Sequence, residues 1–442
     1  MSFINSLLKT VDAQLTQAIG KHGVKSADDK TFKPGDVSLE DITLQSRTRD
    51  RLFPLFDHVK FIDVYESVMT PVMFCDLAVF DAIGLRQSFP LLGGEYITLK
   101  FKTPGNGSSS EYTFTIQTVS NITMAANNKG ASYILRCVST EILRNASRNI
   151  ERITDGTIAD AIKTVIQEDL GTNKRLFLEK TQGVEKHVLT RINPLVAVDF
   201  LRQRATSTKY PSSSFAFFEN KDGFHLKTIE GMVETGRKTV ENTSKKFFFD
   251  TMRNENIDNV SYRDIIAYNH VVFNDIITQT QQGGFKNSIK GFNIITGDLT
   301  EVKYDDSKGA DQFQLSDSTG TINRSSSDIK ELSKTSSVSK LVAINTDISN
   351  DRILEKYVNS RAFAQKMSQN ILQIQVYGDN TITVGDVINC TLPSATGLTN
   401  DQGISRLDSG NYLVTKVRHT IVNSDRPQHT MALELIKSGL TK

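Results

Sequence analysis

The chain has 442 residues and a nearly balanced charge, with 52 basic against 50 acidic residues and a net charge of +2. This balance argues against specific nucleic-acid binding and against attraction to an anionic membrane, and no apolar run approaches the roughly 20 residues of a membrane-spanning segment. The three cysteines (Cys75, Cys137 and Cys390) are odd in number and far apart, which argues against a disulfide scaffold, and the length predicts about two to four domains.

The first 44 residues are predicted to form an amphipathic helix over 2–19, followed by a polar linker. The apolar positions of this helix recur in steps of four and three, which places them on one face. The candidate interaction residues on this face are Ile4, Leu8, Val11 and Leu15. A tethered helix of this length is not expected to be stable alone in water. Two alternatives stay open: packing on its own subunit, or docking on another subunit.

Residues 45–150 are predicted to form a first small antiparallel β-barrel-like domain. Apolar and polar residues alternate over 97–101 and 112–116, which is the pattern of strands with one buried face. Gly93-Gly94 and the Pro-Gly-Asn-Gly sequence at 104–107 mark turns between strands.

Residues 151–304 are predicted to be a mixed α/β region, with a helix over 154–171 and a helix followed by a β-hairpin over 193–229. The Asn-Pro pair that opens the second of these is a helix-start signal, because asparagine caps helices and proline suits the first turn. An aromatic strand follows, and Gly223 is free to take the positive φ that the hairpin turn requires.

No catalytic, cofactor-binding or metal-ligating residues are predicted. The nearest candidate is the run Gly231–Thr239, which contains Gly-Arg-Lys-Thr at 236–239 and resembles a phosphate-binding loop with one residue too many. The residues that follow show no apolar helical period, so an exposed loop is expected before a strand at 247–249. His225 and His419 fall within strand patterns, where a structural role is expected.

Residues 305–345 are predicted to be a flexible polar linker. Their composition shifts to Ser, Asp, Lys, Thr and Gly, and aliphatic residues become sparse.

Residues 346–442 are predicted to form a second small β-barrel-like domain. A helix over 351–370 precedes a strand at 371–377, and strands at 412–421 and 429–436 form a closing antiparallel pair. The predicted fold class is therefore α+β, with two small antiparallel β-barrel-like domains and a mixed α/β middle region.

Four stretches, taken in order, resemble a known family. Leu-Gly-Gly-Glu-Tyr-Ile at 92–97 is similar to a G-E-x-I entry to a strand, and Ile-Thr-Val-Gly-Asp-Val-Ile at 382–388 is similar to L-x-x-G-D-x-I. The helix and hairpin at 193–229 and the strand pair at 410–435 complete the set. Over residues 45–438 the chain thus resembles the baseplate hub proteins of contractile-tailed phages, which are related to the first half of the type VI secretion spike.

The resemblance implies a structural role without enzymatic activity or cofactor. Each chain of such a hub carries two tube domains, and three chains form a ring that adapts the sixfold tail tube to the threefold spike. The implied partners are the other copies of a homotrimer, tail tube or tube-initiator proteins, the central spike protein and other baseplate proteins. The implied location is the tail baseplate of the virion, after synthesis in the host bacterial cytoplasm. The alternatives are a tail-associated hydrolase or another tail or secretion-spike component.

Overall fold

A computed structural model describes residues 32–104, 109–124, 130–242, 245–249, 261–273, 275–305, 338–344, 350–394, 403–405 and 408–437. The predicted N-terminal helix, with Ile4, Leu8, Val11 and Leu15, lies outside the described residues. Residues 306–337 and 345 of the predicted linker lie outside them as well, whereas residues 338–344 of that segment form a strand. The predictions for these two segments therefore stay predictions.

Helices lie between the strands throughout the described part of the chain. They are α1 Leu85–Ser88, α2 Glu141–Ser147, α3 Ile158–Thr164, α4 Pro194–Arg204, α5 Ile229–Asn242, α6 Ile276–Gln281 and α7 Asn350–Met367. A π-helical turn, Val165–Asp169, extends α3. The helices predicted at 154–171 and 351–370 are confirmed by α3 and α7.

Helix α4 begins as predicted after Asn193, but a distant residue caps it. The backbone N–H of Leu195 donates to Oδ1 of Asn145 over 2.8 Å. The side chain of Asn193 instead donates to the carbonyls of Asn145 and Arg148, over 2.8 and 2.9 Å. The start of α4 is therefore held by the end of α2, which no local sequence signal shows.

Strands make up the larger share of the described residues. The first eleven are β1 Ser38–Gln45, β2 Leu52–Pro54, β3 Val59–Ser67, β4 Phe74–Asp81, β5 Tyr96–Lys102, β6 Ser110–Met124, β7 Ala131–Ser139, β8 Ile150–Gly156, β9 Leu176–Leu178, β10 Thr181–Gln182 and β11 Glu185–Ile192. The others are β12 Thr206–Ser207, β13 Phe215–Asn220, β14 Gly223–Thr228, β15 Lys246–Phe248, β16 Ile265–Phe273, β17 Lys286–Asn293, β18 Leu299–Asp305, β19 Val338–Ile344, β20 Asn370–Tyr377, β21 Val387–Thr391, β22 Gly410–Val422 and β23 Gln428–Ile436.

Thirteen of the described strands form one large, mostly antiparallel sheet. Its main path is β16-β20-β23-β22-β3-β4-β7-β6-β5-β1-β2, with β21 beside β22 and β15 paired in parallel with β21. The smaller sheets are β10-β12, β11-β8, β13-β14-β9 and β18-β17-β19. Antiparallel sheet is therefore confirmed in both regions where the sequence predicts it.

Three clusters of buried apolar side chains form three cores. The first lies in the N-terminal strands and includes Leu99 and Phe114. The second lies in the C-terminal strands and α7, and it includes Leu372 and Leu435. The third packs α3 and α4 against the β13–β14 hairpin, with Leu201 fully buried. Each predicted β region therefore has a core of its own.

The two β regions nevertheless share one sheet, because β3 pairs with β22 in antiparallel register. Strand β22 serves both cores: Ile421 belongs to the first, and Val414 and Val417 belong to the second. The path of the described strands is open, running from β16 to β2. To close a barrel within the first region, β3 would need a free edge, but that edge pairs with β22 of the other region. The described strands therefore form one shared open sheet, whereas the sequence predicted two barrel-like domains.

The predicted exposed loop at 231–239 is wrong, because these residues form most of helix α5. Met232, Val233 and Val240 are buried in the second core at helical spacing. Gly236 faces β21, and a Cβ there would lie 2.4 Å from Cγ2 of Val387. The apolar period of this helix is hard to recognise in the sequence, because polar residues separate its buried positions. Gly236 lies on the packed face but adds no apolar side chain to the pattern.

Candidate functional site: the seam between the β regions

Three of the four stretches that carry the family resemblance meet around Gly385, which has a φ of +87°. A Cβ at this position would lie 3.1 Å from the sulfur of Met232 and 3.2 Å from Cζ of Phe218. The N–H of Gly385 donates to the carbonyl of Val414 over 2.9 Å. The 382–388 stretch is thus wedged between the hairpin with α5 and the closing strand pair, and only glycine fits there without displacing a neighbour.

The aspartate that follows this glycine stabilises the same turn. Oδ2 of Asp386 accepts the N–H of Thr383 over 3.1 Å and the ammonium of Lys245 over 2.8 Å. Its carbonyl accepts the N–H of Val414 over 2.8 Å. The Gly-Asp pair therefore has a structural explanation: glycine allows the close approach, and aspartate caps the turn and anchors it to β22.

The Gly-Glu pair of the first stretch closes a loop in a similar way. Glu95 is buried, and its carboxylate accepts the N–H groups of Leu92 and Gly93 over 3.1 and 2.9 Å. Gly93 and Gly94 both have positive φ. This loop carries Leu92 on its surface, where that side chain is exposed.

The seam, defined here as the β3–β22 pairing, is crossed by an ion pair on the sheet face opposite the cores. The guanidinium of Arg418 donates to both carboxylate oxygens of Asp63, over 2.9 and 2.6 Å. Thr420 adds a hydrogen bond to the same carboxylate over 2.7 Å, and Tyr65 adds one over 3.2 Å. A bidentate pair of this kind both stabilises the contact between the two strands and favours one register of their pairing.

Polar side chains also mark the seam on its core side. Nδ1 of His419 lies 3.1 Å from Nε2 of His429, and both rings are buried beside the edge of Phe101. Burial lowers the pKa of His429 to about 4, and burial together with His429 lowers the pKa of His419 well below its ordinary value. Both histidines are therefore neutral at pH 7, and His419 lies buried within a strand, where its sequence pattern predicts a strand.

A buried carboxyl group lies at the point where the hairpin meets both β regions. Glu66 of β3 accepts the hydroxyl of Tyr112 over 3.4 Å and the N–H of Val384 over 3.3 Å. Burial raises the pKa of Glu66 to about 7, although hydrogen bonds from Val384 and Thr383 and the charge of Lys221 lower it. Nearby, Lys221 at the turn of the hairpin donates to the carbonyl of Asn380.

Glu66 and His429 are expected to give the stability of the protein opposite dependences on pH. Below pH 6.5 the unfolded chain protonates His429 while the folded chain does not, so this residue lowers the free energy of unfolding as the pH falls. Between pH 7 and pH 4.5 the folded chain protonates Glu66 before the unfolded chain does, so this residue raises it. As the pH falls from 7 to 5, the free energy of unfolding of His429→Gln should rise relative to that of wild type by on the order of 2 kcal/mol. That of Glu66→Gln should fall relative to wild type by a similar amount, on the order of 2 kcal/mol.

Urea unfolding of the three proteins at a series of pH values measures this effect, because only the differences between variant and wild type are compared. Variant curves that stay parallel to the wild-type curve would show that neither group titrates differently on folding.

The arrangement nearest to a catalytic one is a buried network that joins the first and third cores. The hydroxyl of Ser139 donates to Glu219 over 2.6 Å, and Lys174 bridges Glu219 and Glu141, the latter over 2.7 Å. Thr172 donates to Glu141 over 2.8 Å. Both carboxylates thus have hydrogen-bond partners within the network. The network therefore acts as a structural brace between the first and third cores.

The described residues contain no group of three or more metal-ligating side chains. The three cysteines are free and buried, and burial raises the pKa of each thiol. None of the helices in the described part of the chain has the length and apolar character of a membrane span.

Sequence reasoning missed Asp63 and Arg418 as the pair that fixes the seam. Each is a charged residue next to buried apolar residues of its strand: Asp63 follows Ile62, and Arg418 follows Val417. That pattern is a usable signal for a polar sheet face. It does not identify the partner, because 355 positions separate the two residues.

No family model and no curated protein sequence matches the chain. Among solved structures, the tail protein of Neisseria meningitidis MC58 is similar at 11% identity and a TM-score of 0.54, covering 91% of this chain and 98% of its own. The 43 kDa tail protein of prophage MuSo2 from Shewanella oneidensis is similar at 9% identity and a TM-score of 0.52, with coverages of 90% and 98%.

A component of the Escherichia coli type VI secretion system matches at 10% identity and a TM-score of 0.42, covering 90% of this chain and 76% of its own. Of these three structures, the two tail proteins match at a level that identifies a common fold. Across nine-tenths of its length, this chain has the fold of the tail proteins of Neisseria meningitidis and prophage MuSo2.

Proposed function

We propose that this protein is a structural hub subunit of a phage tail baseplate, and that three copies form a ring between the sixfold tail tube and the threefold spike. The observation that supports this most is the pair of β regions, each with its own core, joined in one chain by the seam. Two similar domains per chain let three copies present six similar surfaces, so that neither interface meets a partner of mismatched symmetry. The fold shared with two tail proteins supports the same assignment.

The proposed partners are the tail tube or its initiator proteins on one side of the ring and the central spike protein on the other, with further baseplate proteins around it. The proposed location is the baseplate of the virion, after synthesis in the host bacterial cytoplasm. The role is mechanical, without a cofactor, and the apolar face with Leu8 and Val11 is proposed to contact another element or subunit.

Particle imaging and the mass of the full chain in solution test this function. The expected result is a threefold ring in which two similar β domains per chain alternate. Leu8→Asp/Val11→Asp should weaken its assembly if the N-terminal face lies between subunits. A dimer, a hexamer, or two β domains of unrelated fold would contradict the hub function, and a monomer that degrades peptidoglycan would point to a hydrolase instead.

A further inference from the structure

Two of the three cysteines lie directly opposite each other in the large sheet. Cys75 of β4 is in register with Cys137 of β7, and this antiparallel pairing continues without a shift on either side. Residues that are directly opposite share one face of a sheet, and both side chains are buried in the first core. The pair cannot be recognised from the sequence, because strands β5 and β6 lie between the two positions along the chain.

The backbone spacing at this pair suits a disulfide bond. The N–H of Ser139 donates to the carbonyl of Met73 over 3.1 Å, two positions along each strand from the cysteines. Hydrogen-bonded and non-hydrogen-bonded pairs alternate in an antiparallel ladder, so Cys75 and Cys137 form a hydrogen-bonded pair with Cα atoms about 5.5 Å apart. Disulfides in proteins join residues whose Cα atoms are roughly 4.4 to 6.8 Å apart. The pair is therefore within reach of a bond.

Neighbouring strands hold the cysteine pair in position from both sides. Val64 of β3 is in register with Cys75, and Ile116 of β6 is in register with Cys137. The pair thus lies in the interior of the four consecutive strands β3, β4, β7 and β6, where a change of register would disturb the whole sheet. The thiol of Cys137 contacts the carbonyl of Leu135 over 3.7 Å, and a thiol is a weak donor, so bond formation sacrifices little.

Burial keeps both thiols protonated in the folded chain. It raises the pKa of each thiol well above its ordinary value, and the nearby Cys137 adds to the rise for Cys75. The thiolate is the form that reacts, so the folded pair is protected from chemistry. Reaction takes place when β4 and β7 separate locally, or before the chain has folded. The fold then decides which thiols are brought together.

We propose that Cys75 and Cys137 are a redox-sensitive pair that closes to a reversible disulfide under oxidising conditions and links β4 to β7. The reaction is exchange with a small disulfide such as oxidised glutathione. The thiolate of one cysteine attacks a sulfur of oxidised glutathione, which breaks the S–S bond and releases one glutathione thiolate. The other cysteine then attacks the protein sulfur of the mixed disulfide and releases the second. Two electrons and the two thiol protons thus pass from the cysteines to two molecules of glutathione.

This disulfide is expected to be reduced easily. The Cβ atoms of directly opposite residues are about 5 Å apart, whereas a disulfide holds them about 3.8 Å apart, so bond formation draws the two strands together. A strained disulfide is more reducible, which is typical of regulatory disulfides. A chain that is made in a reducing cytoplasm and released in a virion, as proposed above, passes from the open to the closed state of the pair. That use of the pair rests on the proposed location, whereas the bond itself does not.

Equilibration of the full-length protein in glutathione buffers tests the pair. The reduced chain is unfolded in urea and brought to equilibrium at a series of ratios of oxidised glutathione to the square of reduced glutathione, in urea and after refolding. Peptide mass spectrometry without reduction identifies the linked peptides. The folded chain should form the Cys75–Cys137 disulfide at a ratio at least tenfold lower than the unfolded chain does, because folding has already brought the two sulfurs together. Native protein that was never unfolded should reach the same ratio, which keeps the test decisive if refolding is inefficient.

Cys390 is a matched control within the same chain. It is as buried as the pair but belongs to the second core, so it should remain a thiol in the folded protein. Neither Cys75→Ser nor Cys137→Ser should form an intramolecular disulfide after folding. Oxidised wild type should also unfold at a higher urea concentration than reduced wild type, whereas the two serine variants should show no such difference.

Equal ratios for the folded and the unfolded chain would overturn the proposal, because the fold would then not favour the bond. Disulfides that include Cys390 in the folded chain would overturn it too, as would a lower urea midpoint for the oxidised than for the reduced protein. Each of these outcomes leaves the proposed hub function standing, since that function is tested by the mass and symmetry of the assembly.

Discussion

Replacing Gly223 with alanine is expected to lower the free energy of unfolding by more than about 3 kcal/mol, the largest effect of any single methyl group in the hairpin. Gly223 has a φ of +138°, and a Cβ there would lie 2.3 Å from the carbonyl oxygen of Arg175. That carbonyl accepts the N–H of Phe224 over 2.9 Å at the point where β14 meets β9. Relief of the clash therefore requires β9 to move away and this hydrogen bond to break.

The displacement would also reach Lys174, the residue before Arg175, which bridges the two buried glutamates Glu141 and Glu219. A hairpin that moves by a fraction of an ångström would thus weaken the brace between the first and third cores. The loss is measured as a shift of the urea midpoint, with an unchanged denaturant dependence if unfolding stays cooperative.

Gly156→Ala is the matched control for this substitution. Gly156 has nearly the same φ, +137°, but no atom lies within 4 Å of a Cβ built there. The free energy of unfolding of this variant should fall only by the cost of holding alanine at a positive φ, about 1 to 2 kcal/mol. Equal losses in the two variants would show that the contact with Arg175 does not limit the hairpin.

Replacing Asp63 with alanine is expected to cost about 3 to 5 kcal/mol, because it removes one half of a largely buried ion pair. The side chains of Asp63 and Arg418 are only 5% and 12% exposed. The carboxylate also accepts hydrogen bonds from Thr420 and Tyr65, which would lose it at the same time. All these groups lie at the seam, so the joint between the two β regions should weaken first.

The double variant Asp63→Ala/Arg418→Ala should recover part of this loss, since it removes the buried positive charge together with its partner. Asp155→Ala, which breaks the exposed Lys186–Asp155 pair, should cost less than about 1 kcal/mol. Unfolding followed by a probe in each β region gives the test. A loss for Asp63→Ala no greater than that for Asp155→Ala would mean that the seam is held by its backbone hydrogen bonds alone.

The sequence alone identified the elements whose signals are local. The Asn-Pro start of α4, the turn glycine of the β13–β14 hairpin, helix α7 and the closing strand pair lie where their patterns predict them. The order of four weak motifs led to the tail-protein fold that the comparison of structures confirms. Capping groups, turn residues and periodicity act within a few residues, which is why a single sequence shows them.

Tertiary structure alone decided how these elements combine. Pairing between β3 and β22 joins residues 349 to 361 positions apart, and the sequence of neither strand identifies its partner. Helix α5 was missed because its packing on β21 uses a glycine, and the cap of α4 was misassigned because Asn145 provides it from another element. Long-range contacts of this kind depend on shape and register in three dimensions. A sequence pattern predicts that a residue is buried, but it does not show which element packs against that residue.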